Sequence, residues 1–238
     1  MAKADGTIWE RLGRSPAEQR APLSHDRLAS AAIEMADLHG LDALSMRKLA
    51  EHLGVTAMAP YRYISGKDDL FELMVDTVHA DIALPATAGN WRETLGAYAE
   101  QVREITLRHP WLAQIFARLP GVLTPRMADI AEQVLASMDA VDADVDAKMA
   151  MLAGVTAFTH GAAAAEVAQH QLMGRRGWTS DDDVRSAYHP YMAELTATGR
   201  HPHLVDYLVG GSNQDTAEWQ FRFGLECLLD GIATKLPR

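Results

Sequence analysis

Residues 41–74 read LDALSMRKLAEHLGVTAMAPYRYISGKDDLFELM. Ser45 is a residue type that caps helix N-termini, and Leu49, Ala50 and Leu53 follow it at helical spacing. Gly54 permits a tight turn, and Thr56 can cap a second helix running to about Tyr63. Two short helices joined by Leu53-Gly54-Val55 make a helix-turn-helix. Ser65 then stands three residues before Asp68, a capping-box-like pair. Leu70, Phe71, Met74, Val75, Val78 and Ile82 share one face of the helix that follows, and Pro85 and Gly89 end it.

In such a pair the first helix braces across the DNA backbone and the second enters the major groove, which requires small, polar or basic groups facing outward. Arg47 and Lys48 lie in the first turn of the brace, where they can reach phosphates, and Ser45 adds a hydroxyl at a helix N-terminus. Between Ser45 and Lys67 the charged residues are Arg47, Lys48, Arg62 and Lys67 against Glu51 alone. The whole chain has a formal net charge of −10, which argues against a non-specific nucleic-acid coat protein and requires any DNA contact to be local. The basic window meets that requirement.

Toward the N-terminus, Leu28, Ala32, Met35 and Ala36 mark a helix from Ser24 that stops at Gly40. Residues 1–23 mix Gly6, Gly13, Pro16 and Pro22 with Arg11, Arg14 and Arg20 and show no packing period, so a flexible arm is expected there. Toward the C-terminus, Trp91, Leu95, Tyr98, Val102, Ile105 and His109 step by four and three before Pro110. Weaker patterns cover Trp111–Leu119 and Thr124 to about Val141, and Val145–Leu172 reads as one long helix with small residues at Gly161–Ala165. Glycines 174, 177, 199, 210 and 211 with Pro190 and Pro202 predict loops and one or two short helices over 173–213. Thr216–Leu236 is apolar on two sides and must be buried on both.

No strand alternation, repeat or low-complexity tract is evident, so the fold class is all-α. The expected units are an arm at 1–23, a DNA-binding unit at 24–85 and a helical unit at 90–238. A single cysteine, Cys227, excludes an intrachain disulfide and a Cys-rich zinc site. No stretch has the length and apolarity of a signal peptide or a bilayer span, and a cytoplasmic protein is expected. His201-Pro202-His203 lacks further ligands at motif spacing, so no metal or cofactor is expected. Nucleophile elbow, phosphate loop and zinc-protease motifs are all lacking, which leaves an all-helical enzyme or an interaction scaffold as the alternatives to a non-enzymatic DNA binder.

The run quoted above resembles the N-terminal domain of the TetR family of repressors in spacing, turn and its Lys-acid-acid-Leu ending, over about Ser24 to Ile82. FRFGLECLLDGIATKL near the C-terminus is similar to the last helix of TetR-like ligand-binding domains, and Ile8-Trp9-Glu10-Arg11 to an arm seen before some of them. The resemblance implies that Arg47 contacts bases or phosphates, and that Ala57, Met58 and Ala59 face the groove. It implies as well that Tyr61, Arg62 and Tyr63 touch the backbone and that Lys67 clamps a phosphate. Pro60 departs from the family's usual leucine; placed in the first turn of the recognition helix, it is expected to be tolerated.

One recognition helix reads few bases, so a two-fold dimer on a palindromic double-stranded operator is expected. Helices 145–172 and 216–236 are the natural four-helix interface. The resemblance further implies a repressor released by a small, largely apolar effector. Candidate pocket residues are Tyr98, Trp111, Phe116, Met151, Phe158, His160, Tyr188 and Tyr191, with the helix from Gly66 to Leu84 as the link to DNA.

Overall fold

The computed structural model describes residues 7–12, 23–85, 90–119, 121–210 and 216–236, and every regular element among them is helical, as the periodicity requires. Helix α1 spans Ile8–Leu12. Helix α2, His25–His39, begins where the Ser24 hydroxyl accepts the Arg27 N–H at 3.2 Å and ends at Gly40, whose φ of +78° favours glycine. Helix α3, Met46–His52, starts at Ser45, and α4, Lys67–His79, packs across α2. Leu28, Ala32, Met35, Leu49, Leu70, Met74 and Val75 fill the space between them.

The cap of α4 differs from the sequence expectation. The helix starts one residue later than the Ser65–Asp68 pairing assumes, with Gly66 as its cap. The third helical position is therefore Asp69, and its carboxylate accepts the Ser65 N–H at 2.6 Å.

The rest of the chain is a bundle of α5 (Trp91–Arg108), α6 (Trp111–Arg118), α7 (Pro125–Ser137), α8 (Val145–Arg176), α9 (Asp181–Ala197), α10 (Pro202–Gly210) and α11 (Ala217–Lys235). Helix α5 lies along α8, and α11 closes on both around Leu95, Val102, Val134, Val155, Phe221, Leu225 and Leu229. Gly224 allows α11 to approach α8, since a Cβ there would sit 2.8 Å from the Phe158 ring. Arg103 on α5 makes a two-pronged ion pair with Glu166 on α8, at 2.9 and 2.8 Å.

Two expectations are corrected. Within the 1–23 arm, Ile8–Leu12 is helical and Ile8 is 1% exposed, because it and Trp9 find apolar partners in the α2–α4 core; residues 1–6 and 13–22 lie outside the described residues, as does Gly89. The 173–213 stretch is mostly helical where it is described. Gly177 and Gly199 do take positive φ at helix ends, yet Gly174 lies inside α8 and Pro190 inside α9. Helix α9 is started by a reciprocal Ser180–Asp183 capping box. Pro190 and Ser186 are exposed, so water can take the carbonyl that the proline leaves without a donor.

Candidate nucleic-acid interface and internal cavity

The turn after α3 is a Schellman motif. Gly54, at φ +67°, donates its N–H to Glu51 O at 3.0 Å, and Val55 donates to Ala50 O at 2.9 Å. The expected helix from Thr56 to Tyr63 does not form as an α-helix. Thr56 accepts the Ala59 N–H at 2.9 Å, the 3₁₀ turn Pro60–Arg62 follows, and Tyr63 and Ile64 both donate to Pro60 O. Proline has no N–H to return to Thr56 O, and its ring crowds that carbonyl, so the segment tightens into i→i+3 bonds. Pro60 is tolerated as a buried residue, but at the cost of the α-helical form.

Arg47, Lys48, Thr56, Ala57 and Arg62 are exposed, and Met58 (69%) and Tyr61 (42%) are large apolar groups left in solvent. Ala59, Tyr63 and Lys67 are half-buried, with the Lys67 ammonium 5.3 Å from the centre of the Phe71 ring. The Ser45 oxygen accepts the Lys48 N–H at 3.3 Å, which leaves the hydroxyl hydrogen available. Among the described residues, no carboxylate stands within ion-pair distance of Arg47, Lys48, Arg62 or Lys67, whereas Arg11, Arg103 and Arg118 pair with Asp69, Glu166 and Asp42.

Sequence reasoning missed the support behind this face. Helix α1 lies beside it, with Ile8, Arg11 and Leu12 bordering a cleft of about 260 Å³ whose far side is His25 and residues 61–65. His25 Nε2 is 3.0 Å from Tyr63 O and its ring meets the Tyr63 ring edge-on. Arg11 pairs with the same Asp69 that caps α4. The signal available in the sequence was Ile8 and Trp9, two large apolar residues in an otherwise polar arm.

Away from this face, a cavity of about 180 Å³ lies between the C-terminal end of α4 and helices α5, α7 and α8. It is lined by His79, Tyr98, Leu123, Met127, Ile130, Ala131, Met149, Leu152 and Thr156. His79 and Ile130 also border a second, more polar cleft of about 340 Å³ that includes Arg126, Asp129 and Gln133. Of the eight pocket candidates, Tyr98 lines the 180 Å³ cavity and the others do not. Trp111 is 1% exposed, packs in the α2–α4 core and donates its indole N–H to Asp37 at 2.7 Å. Phe158 stacks on Phe221 and Met151 packs in the α5–α8–α11 core. Tyr188 and Tyr191 are exposed on α9. Phe116 stacks on His160 at 4.3 Å and meets the His79 ring edge-on at 6.2 Å. Burial holds His79 below the ordinary imidazole range, and burial together with the neighbouring His79 holds His160 at about 4.

Residues 28–74 match the family described as bacterial regulatory proteins, tetR family, and residues 84–236 match the tetracyclin repressor-like C-terminal domain. The chain belongs to the TetR family. A relative in Streptomyces coeruleorubidus, the HTH-type transcriptional repressor DrrR1, is 34% identical over 98% of this chain and 85% of its own length. An HTH-type transcriptional regulator of Saccharopolyspora erythraea is 30% identical over 97% of this chain and 92% of its own. Among solved structures, the Streptomyces coelicolor TetR family protein ActR in complex with actinorhodin superposes with a TM-score of 0.77 at 26% identity, covering 92% of this chain and 99% of that one. In TetR terms, the face carrying Arg47, Met58 and Arg62 lies in the N-terminal unit and the cavity in the C-terminal one. His79, on α4, lies on the short stretch between the two matched regions.

Proposed function

We propose that this protein is a transcription repressor that binds a palindromic operator as a homodimer and is released when a largely apolar small molecule occupies the cavity between α4, α5, α7 and α8. The observation that carries the reading is the exposed face on which Arg47, Lys48 and Arg62 stand around Met58 and Tyr61 with no carboxylate partner among the described residues, on a chain of net charge −10. Cations left unpaired on an acidic protein suit phosphates, and a Met side chain suits the thymine methyl group. Ser45, Thr56, Ala57, Ala59, Tyr63 and Lys67 complete the contact surface in this reading. The relatives named as a repressor and as a transcriptional regulator support it, and ActR, bound to actinorhodin, supports a ligand-responsive bundle. Such a protein works in the cytoplasm, where the DNA is.

Dimerisation through residues 145–172 and 216–236 is supported by α11. That helix buries Phe221, Leu225 and Leu229 within the chain while a stacked Trp219 and Phe223 pair, 44% and 57% exposed, faces out beside Cys227. Gly161 and Ala165 on α8 are also exposed and small enough for a second backbone to approach closely.

The test is an Arg47→Ala/Lys67→Ala double variant assayed on operator DNA. Folding unchanged with DNA binding lost supports the repressor; DNA binding retained returns the molecule to the scaffold or enzyme readings. Losing two phosphate contacts also flattens the slope of log K against log salt by about two.

A further inference from the structure

We infer that the 180 Å³ cavity selects a neutral, largely apolar molecule that carries at least one hydrogen-bond donor, and that His79 is the residue that reads that donor and passes its binding to the DNA-facing helix. The inference rests on the ligand-responsive role proposed above and names the class of molecule that fills the site.

The reasoning begins with hydrogens. His79 is 4% exposed, and its Nδ1 lies 2.8 Å from Val75 O. A carbonyl only accepts, so Nδ1 must carry the proton. Burial keeps the ring neutral, which makes Nε2 a bare acceptor, and no described donor lies against it. Nε2 is reachable from the cavity, and a ligand that cuts it off from water without donating to it costs about as much as a lost hydrogen bond.

The second polar group behaves alike. Thr156 Oγ1 donates its only hydrogen to Leu152 O at 2.8 Å, so the 3.0 Å contact between Tyr98 and Thr156 must be the phenol donating. The Tyr98 oxygen is left with lone pairs only. The remaining wall is Leu, Ile, Ala and Met side chains, and among the described residues no carboxylate, lysine or arginine lines the cavity.

A cavity with two acceptors and no charge rejects a carboxylate, which would meet lone pairs, and gives an ammonium no counter-ion. A hydroxyl on an aromatic body donates its one hydrogen to Nε2 of His79 and lays its apolar surface against the rest of the wall. His79 sits in the last turn of α4, whose first residue is Lys67, and its ring touches Phe116, which stacks on His160 of α8. A donor seated on His79 therefore bears on the helix that begins at Lys67 of the DNA face, and its leverage equals its differential affinity for the two arrangements.

The test uses three probes of similar size on the full-length protein: 1-naphthol, its methyl ether and 1-naphthoate, titrated by calorimetry. The wild type is expected to bind 1-naphthol about tenfold more tightly than the ether and to bind naphthoate most weakly, the factor set by one hydrogen bond to a buried acceptor. His79→Phe should bring naphthol and ether within about threefold. If that variant fails to fold, His79→Leu also removes the acceptor and must narrow the same ratio. Equal wild-type affinity for naphthol and ether, a preference for naphthoate, an undiminished ratio in the folded variants, or no binding of any probe up to its solubility limit would each overturn the inference. Operator affinity of the unliganded wild type is read separately, so its loss would sink the repressor reading without touching the probe ratio.

Discussion

At the scale of single residues, the DNA face and the cavity differ in how openly they can be read. Arg47 and Lys48 are placed by local rules, a cap at Ser45 and the helical period that buries Leu49 and Ala50, and the glycine turn at Gly54 sets where Met58 and Arg62 follow. Pocket residues depend on which face of each bundle helix turns inward, which no local pattern states. Trp111 went to the α2–α4 core, Tyr188 and Tyr191 to solvent, and His79, which no sequence pattern singled out, became a polar wall of the cavity. His160 gives a pH prediction. Its folded-state value near 4 lies below the roughly 6.5 of an unfolded chain, so its contribution is complete above pH 6.5 and is lost as pH falls toward 4. Across that window the unfolding free energy should drop by about 3 kcal/mol more in wild type than in His160→Phe, measured by urea titration at several pH values. Parallel curves for the two proteins would contradict the burial assigned to this ring.

At the scale of elements, capping and turn chemistry located the starts of α2 and α3 within the sequence, because each depends on a few neighbouring atoms. Where two local rules compete, the outcome needs the structure: at 56–63 the caps favour a helix and Pro60 opposes it, and the 3₁₀ turn is the compromise. Over 173–213 the capping box at Ser180 outweighed Pro190 because the proline lies on an exposed helix where water can compensate. Gly54→Ala should destabilise the protein by roughly 1–2 kcal/mol through its positive φ alone, since a Cβ there meets nothing within 4 Å. Denaturant midpoints measure this, and an unchanged midpoint would mean the turn can be rebuilt without a left-handed residue. Pro60→Leu restores the missing N–H to the recognition segment and should raise helical circular dichroism slightly while changing the preferred operator bases.

At the scale of the whole molecule, the two TetR-family parts share a core rather than hang on a linker. Leu112 and Ile115 of α6 pack with Leu28 and Met74, Trp111 bonds Asp37, Arg118 pairs with Asp42, and the Asp76 carboxylate accepts the Arg126 N–H at the start of α7. Such continuity lets a change at the far end of α4 reach Lys67 without a separate hinge. Within the bundle, α5 and α8 are tied by Arg103 and Glu166, both largely buried, with the guanidinium also 5.1 Å from the centre of the Phe221 ring. Glu166→Ala leaves that charge without its partner and should cost about 2–3 kcal/mol in chemical denaturation. A cost below about 0.5 kcal/mol would place the pair among ordinary surface contacts. The central claim is that two copies of the Arg47–Lys67 face read one DNA site. It is tested most directly by selecting and sequencing binders from a pool of random duplexes at stated salt. The account predicts a palindromic logo whose half-sites lie about one helical turn, roughly 34–36 Å, or a multiple of it, apart. A logo without two-fold symmetry, or no enrichment over the folded Arg47→Ala/Lys67→Ala variant, would contradict it.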